Sequence, residues 1–96
     1  MPDVKRLDRI SAAVVRLLRE AREERGVTGS DLAERSGLNQ STISLMDRGL
    51  RKPTLDTLLR IAEVLEVELG EILRRAAAEV EKETPVKAAT KKKPTR

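Results

Sequence analysis

Between Thr28 and Lys52 the chain sets out a run of hydrogen-bonding and cationic side chains: Gln40, Ser41 and Ser44, then Arg48, Arg51 and Lys52. An amide and two hydroxyls can exchange hydrogen bonds with a partner's edge, and guanidinium and ammonium groups can neutralise its anions. What the chain lacks is as informative. It has no His and no Cys, so the commonest general base, the commonest metal ligand and the thiolate nucleophile are all missing. Its 16 acids read as surface groups of helices. The chemistry on offer is recognition, and no catalytic residue, metal site or cofactor is expected.

Such side chains need a rigid mount. The stretch TGSDLAERSGLNQSTISLMD reads as two short helices joined by a tight turn. Ala33 is small enough to let the second helix pass, Gly37 can take the positive φ of a sharp corner, and Ile43 fills the crossing. This is a helix-turn-helix pattern, which lays its second helix in the DNA major groove. Helix two is predicted over Gly29 to Ser36, with Thr28 as N-cap and Asp31 completing a shortened capping box. Helix three, capped by Asn39, runs from about Gln40 to Arg48. At roughly 100° per residue, Ile43, Met46 and Asp47 share its inner face, while Gln40, Ser41, Ser44, Leu45 and Arg48 share the outer one.

Three further helices support the pair. Helix one is expected from about Leu7 to Arg25, with Leu7, Ile10, Val14, Leu17, Leu18 and Ala21 at helical steps, Gly26 as its stop and residues 1–6 frayed. Helix four runs from Leu55 to about Leu65, capped by Thr54, with Leu55, Leu58, Leu59, Ala62 and Leu65 inward. Glu66 stands where a glycine stop would be expected. Helix five, about Leu69 to Lys82, carries the stripe Leu69, Ile72, Leu73, Ala76 and Val80. From Thr84 onward Pro, Ala, Thr and Lys dominate and disorder is expected. The predicted fold class is therefore all-α, five helices followed by a disordered basic tail. Residues 1–83 form one domain and residues 84–96 the tail.

The 96 residues suffice for one modest core, built without Phe, Trp or Tyr. With no aromatic ring, unstacked bases have no platform, which argues against most single-strand and RNA-loop binding. The absence of cysteine is compatible with a reducing cytosol. No apolar run approaches a membrane span, so a soluble, cytoplasmic (nucleoid-associated) protein is expected. The net charge of +4 is uneven. The tail holds Lys87, Lys91, Lys92, Lys93 and Arg96 with no acid, leaving 15 bases against the 16 acids in residues 1–83. A DNA-binding domain of that balance must sort its cations onto one face.

With REERGVT, DLAERSGLNQSTIS, Arg48-Gly49 and KPTLDTLLRIAEVL in order, the chain from about Val14 to Leu73 resembles the lambda-repressor-like, Cro/C1-type (XRE) helix-turn-helix domains. The resemblance implies a five-helix domain that dimerises on a near-palindromic operator in double-stranded DNA, and so a transcriptional regulator, in the simplest case a repressor. By position it places Gln40, Ser41 and Leu45 at base edges with Ser44 beside them. Arg48, Arg51 and Lys52 then fall near the DNA backbone, with Thr28, Gly29 and Asn39 as further phosphate contacts at the helix starts. It also implies an ion pair between Arg22 and Asp47 tying helix one to helix three. Three departures stand out, one being that the extensions over residues 1–13 and 74–96 lie outside the shared pattern. Gly29 replaces a frequent glutamine, leaving only backbone N–H groups for phosphate, and Leu45 is apolar, suited to a thymine methyl.

Leu69 and Ile72–Leu73 look sufficient to close the core from helix five. That leaves Ala76 and Val80, with Leu50 and part of Ile72, as an expected homodimer interface. Two other readings stay open: an antitoxin whose tail or helix five also binds a toxin, and an adaptor that keeps the fold without reading DNA.

Overall fold

The computed structural model describes residues 1–83, and the expectation of disorder for 84–96 lies outside them. The described residues hold five helices and no strand: α1 (Val4–Glu24), α2 (Gly29–Ser36), α3 (Gln40–Asp47), α4 (Leu55–Leu65) and α5 (Leu69–Glu83). The order and type match the sequence reading, and α2 matches it to the residue. Helix α1 starts earlier than expected. Asp3 caps it by accepting the Arg6 N–H at 3.1 Å, so residues 4–6 are helical and not frayed.

The core lies where α1 packs on α3, α4 and α5, with α2 closing it against α3 and α4. Ala13, Val14, Leu17, Leu18 and Ala21 come from α1, Leu32 and Ala33 from α2, Ile43 and Met46 from α3, Ile61 and Leu65 from α4, and Ile72, Ala76 and Val80 from α5. Two expected faces are corrected here. On α4, Leu55 and Leu59 are 65% and 51% exposed, and the buried positions are Thr57, Ile61, Ala62 and Leu65. The helix carries two apolar ridges, and the one containing Ile61 and Leu65 faces α1 and α2. On α5, Ile72, Ala76 and Val80 are buried within this chain, against α1, so they are not available as a dimer surface. The reason is the length of α1. Its 21 residues make a rod about 31 Å long, and α5 lies along it beyond the point where a shorter helix would stop. Arg16 bridges to Glu79, and Arg6 to Glu81 at 3.5 Å, along the same seam. The Arg16 guanidinium, hydrogen-bonded to Glu20 and near Glu79, is held above its ordinary pKa.

Helix ends are set by local chemistry. Helix α4 closes in a Schellman arrangement, the Glu66 N–H reaching the Glu63 carbonyl (3.3 Å) and the Val67 N–H the Ala62 carbonyl (3.1 Å). Glu66 thus occupies the left-handed position, at φ 58°, that a glycine would take more easily. Replacing Glu66 with Gly relieves that strain at some cost in unfolded-chain entropy. The expected outcome is a gain of about 0.5–1 kcal/mol in urea unfolding, with the helical content by circular dichroism unchanged.

Candidate nucleic-acid interface

The corner between α2 and α3 is built on Gly37, at φ 80°, whose N–H reaches the Ala33 carbonyl at 3.0 Å. Buried Ser36 precedes it and accepts the Leu38 N–H (3.2 Å) on its hydroxyl. Arg60 of α4 donates to the Ser36 carbonyl (3.0 Å) and, through Nε, to Asp56 (2.8 Å). The end of α2 is therefore tied to α4 just where the chain turns. A Cβ on Gly37 would lie 3.2 Å from the Arg60 guanidinium.

The start of α2 has a complete capping box. Thr28 Oγ1 accepts the Asp31 N–H (3.0 Å), and Asp31 Oδ2 accepts the Thr28 N–H (3.4 Å). A carboxylate already sits at this helix start, which lessens its pull on a phosphate near Thr28 and Gly29. At α3 the structure differs from the sequence reading. Asn39 takes the N-cap position with extended backbone, but its side chain makes no capping hydrogen bond.

Helix α3 presents the two faces that its wheel requires. Ile43 and Met46 are buried, Gln40, Ser41, Ser44 and Arg48 are exposed, and Leu45 is half-buried. At its inner end, Arg22 donates to Asp47 Oδ2 at 3.0 Å, with the two side chains 12% and 22% exposed. Arg19 donates to the Asp47 carbonyl at 3.2 Å. Two guanidiniums one turn apart on α1 therefore grip the carboxylate and the last carbonyl of α3, the end that carries the helix's partial negative charge. Sequence reasoning missed Arg19, Ser36 and Arg60. The first could have been found from its place one turn before Arg22. The other two are joined through the Ser36 backbone carbonyl, which leaves no pattern in side-chain spacing.

Beyond Asp47, α3 closes through Gly49 at φ 75°, the Leu50 N–H reaching back to the Leu45 carbonyl at 2.8 Å. The loop that follows carries Leu50, Arg51 and Lys52 to the surface, with Arg51 and Lys52 at the rim of a groove between α1 and the end of α3. Among the described residues no ion pair engages the Arg48 or Arg51 side chain, whereas Lys52 pairs with Asp8 of α1. Also among the described residues, no group of His, Cys, Asp and Glu is placed to hold a metal ion, and no helix is long and apolar enough to cross a membrane.

Two short helices locked at a glycine corner, with a polar outer face and cations at its far end, define a helix-turn-helix unit within a five-helix fold. The comparisons agree. The family described as Helix-turn-helix matches residues 18–72, and the chain belongs to it, in its Cro/C1-type branch. An uncharacterised HTH-type transcriptional regulator of Mycobacterium tuberculosis is 42% identical over 59 residues, covering 62% of this chain and 42% of the relative. Another from Sinorhizobium fredii is 39% identical over 56 residues, 58% of this chain and 29% of the relative. The chain thus spans less than half the length of these curated relatives. The crystal structure of the clp gene regulator ClgR from Corynebacterium glutamicum superposes with a TM-score of 0.70 at 23% identity, covering 84% of this chain and 86% of that one, and so shares the fold.

The clamp on α3 generates a stability prediction. Arg22→Met strands a partly buried carboxylate and should cost about 1–3 kcal/mol, below the range for a fully buried pair because solvent and Arg19 still reach Asp47. Adding Asp47→Leu should recover most of that loss. A double-mutant cycle by urea unfolding measures both, and an additive pair of losses would contradict the geometry.

Proposed function

We propose that this protein is a sequence-specific, double-stranded-DNA-binding transcriptional regulator that acts as a homodimer on a near-palindromic operator. The observation that carries the reading is the division of α3, its inner side gripped by Arg19, Arg22 and the core and its outer side of Gln40, Ser41 and Ser44 open to solvent. Membership of a helix-turn-helix family supports the DNA partner. In this proposal α3 enters the major groove. Gln40 there forms paired hydrogen bonds to an adenine edge, Ser41 and Ser44 meet neighbouring bases, and Leu45 packs on a thymine methyl. Arg48, Arg51 and Lys52 contact phosphates on one flank, with the Thr28 hydroxyl, the Gly29 N–H and the Asn39 amide at the other. Residues 1–83 are the binding and dimerisation unit.

An eight-residue helix spans about 12 Å and reads only a few base pairs, which is why a second copy is needed. Two recognition helices about 34 Å apart would meet the same side of a duplex. With Ile72, Ala76 and Val80 committed to the core, the surface proposed for pairing is the α4–α5 face. There Leu59 and Leu73 flank a groove of about 400 Å³, and Leu55 continues the α4 ridge. Leu50, 66% exposed, is also open to a partner. Occupation of an operator by such a dimer would repress by excluding polymerase.

Selection of bound sequences from random duplex DNA tests the reading. An inverted repeat should emerge, and Gln40→Ala should relax one position in each half-site, with a loss of about 1–3 kcal/mol of discrimination there. Enrichment of no sequence would instead favour an adaptor that has lost DNA reading. Sedimentation equilibrium tests the pairing surface. Leu59→Glu with Leu73→Glu should give folded monomers where the unchanged protein is dimeric, and a dimer indifferent to both changes would exclude the α4–α5 face. A stoichiometric second protein retained on purification would point to an antitoxin.

A further inference from the structure

We infer that Asp8 is a built-in competitor of DNA phosphate for Lys52, so that the N-terminal half of α1 sets how strongly the α3–α4 loop grips the backbone. The inference rests on the DNA-binding reading above and concerns a residue outside the matched span of 18–72.

Lys52 Nζ donates to Asp8 Oδ1 across 44 positions of sequence. Both groups are reachable from solvent, the side chains being 70% and 50% exposed. The contact stands apart from its surroundings in two ways. Among the described residues it is the one side-chain bond between the loop 49–53 and α1. Beneath it runs an open groove of about 370 Å³, lined by Ser11, Ala12 and Val15 of α1 against Met46, Gly49 and Pro53. The loop is therefore not packed down on α1 at this point. It spans the groove and is tethered across it by a single ion pair.

A carboxylate and a phosphodiester compete for the same ammonium, since each offers one negative charge and oxygen acceptors and Lys52 has three N–H donors on one flexible stem. Among the described residues Arg48 and Arg51 have no ion pair to break before meeting phosphate. Lys52 must first give up Asp8. An exposed pair of this kind shifts an equilibrium by a factor of about two to five. Adding or removing one phosphate partner changes the slope of log K against log salt by about 0.9.

Phosphate is common to every duplex, so a mixed-sequence duplex is a sufficient probe and the test does not depend on sequence reading. Fluorescence anisotropy would compare the unchanged protein with Asp8→Asn, Lys52→Gln and the two together across a range of salt, with thermal melts checking the fold of each. Asp8→Asn should tighten binding about two- to fivefold and steepen the salt slope by up to about 0.9. In the Lys52→Gln background the same change should do nothing, while in a Lys52→Arg background the gain should persist. An Asp8→Asn gain undiminished by Lys52→Gln would overturn the inference, because Asp8 would then act only by repelling DNA at a distance. Unchanged or weaker binding by Asp8→Asn alone would overturn it as well. Failure to enrich an operator, with these duplex results intact, would count against sequence reading alone.

Discussion

The grip of α1 on the last turn of α3 is the constraint on which the rest of this molecule depends. Eight residues are too few for a helix to persist unaided in water. Packing of Ile43 and Met46 supplies the adhesion, at about 1.5–3 kcal/mol for each buried side chain. Apolar contact is not directional, however, and would tolerate rotation of α3 about its axis. The Arg22–Asp47 pair and the Arg19 bond to the Asp47 carbonyl do not tolerate it, since both need the end of α3 at one angle. Desolvation offsets much of the Coulombic gain of such a pair, so its contribution is one of orientation. That orientation decides which side chains face outward.

Helix α1 has a second task that follows from its length. Its C-terminal half holds α3, and its N-terminal half extends past the helix-turn-helix unit and needs a cover of its own. Helix α5 supplies it through Ile72, Ala76 and Val80, with ion pairs from Arg6 and Arg16 along the edge. Once α5 is spent on α1, the large apolar side chains left on its side of the molecule are those of the outer α4 ridge and Leu73. The shape of the core thus leaves apolar surface along the α4–α5 side.

How far this was legible in the sequence depends on the range of the interaction that fixes each feature. Helix starts and stops rest on bonds three or four residues long, and the Thr28–Asp31 box, the Gly37 corner and the anomalous Glu66 could all be read from local residue types. So could the inner and outer faces of α3, because Leu45 is the one apolar side chain on its outer side. Helix α4 is different. With Leu55 and Leu59 on one ridge and Leu58, Ile61 and Leu65 on another, periodicity finds two apolar faces and cannot say which one meets α1. Helix α5 differs for a related reason: whether Ala76 and Val80 are surplus depends on which face of α1 they meet, a contact between opposite ends of the described chain that periodicity within either helix cannot show. The Arg60 bond to the Ser36 carbonyl was invisible because its acceptor is backbone. In the proposed interface, the residues on α3 were the legible part, and the tie of Lys52 to Asp8 was not.

The near balance of charge in residues 1–83 looks at first like an argument against a polyanionic partner. The ion pairs answer it. Arg6 meets Glu81, Arg16 meets Glu20 and Glu79, Arg60 meets Asp56 and Arg74 meets Glu71, so acids offset cations on α1, α4 and α5 within a few ångströms. Paired charges present a dipole to the surroundings, and at physiological salt its field fades within about 8 Å. Arg48 and Arg51, at the end of α3 and in the loop after it, have no such partner among the described residues and keep their full charge. A domain with a slight excess of acids can therefore still offer a local positive edge at the end of α3, beside the face proposed for recognition. The strength of that edge is governed by which cations are left unpaired, far more than by the total.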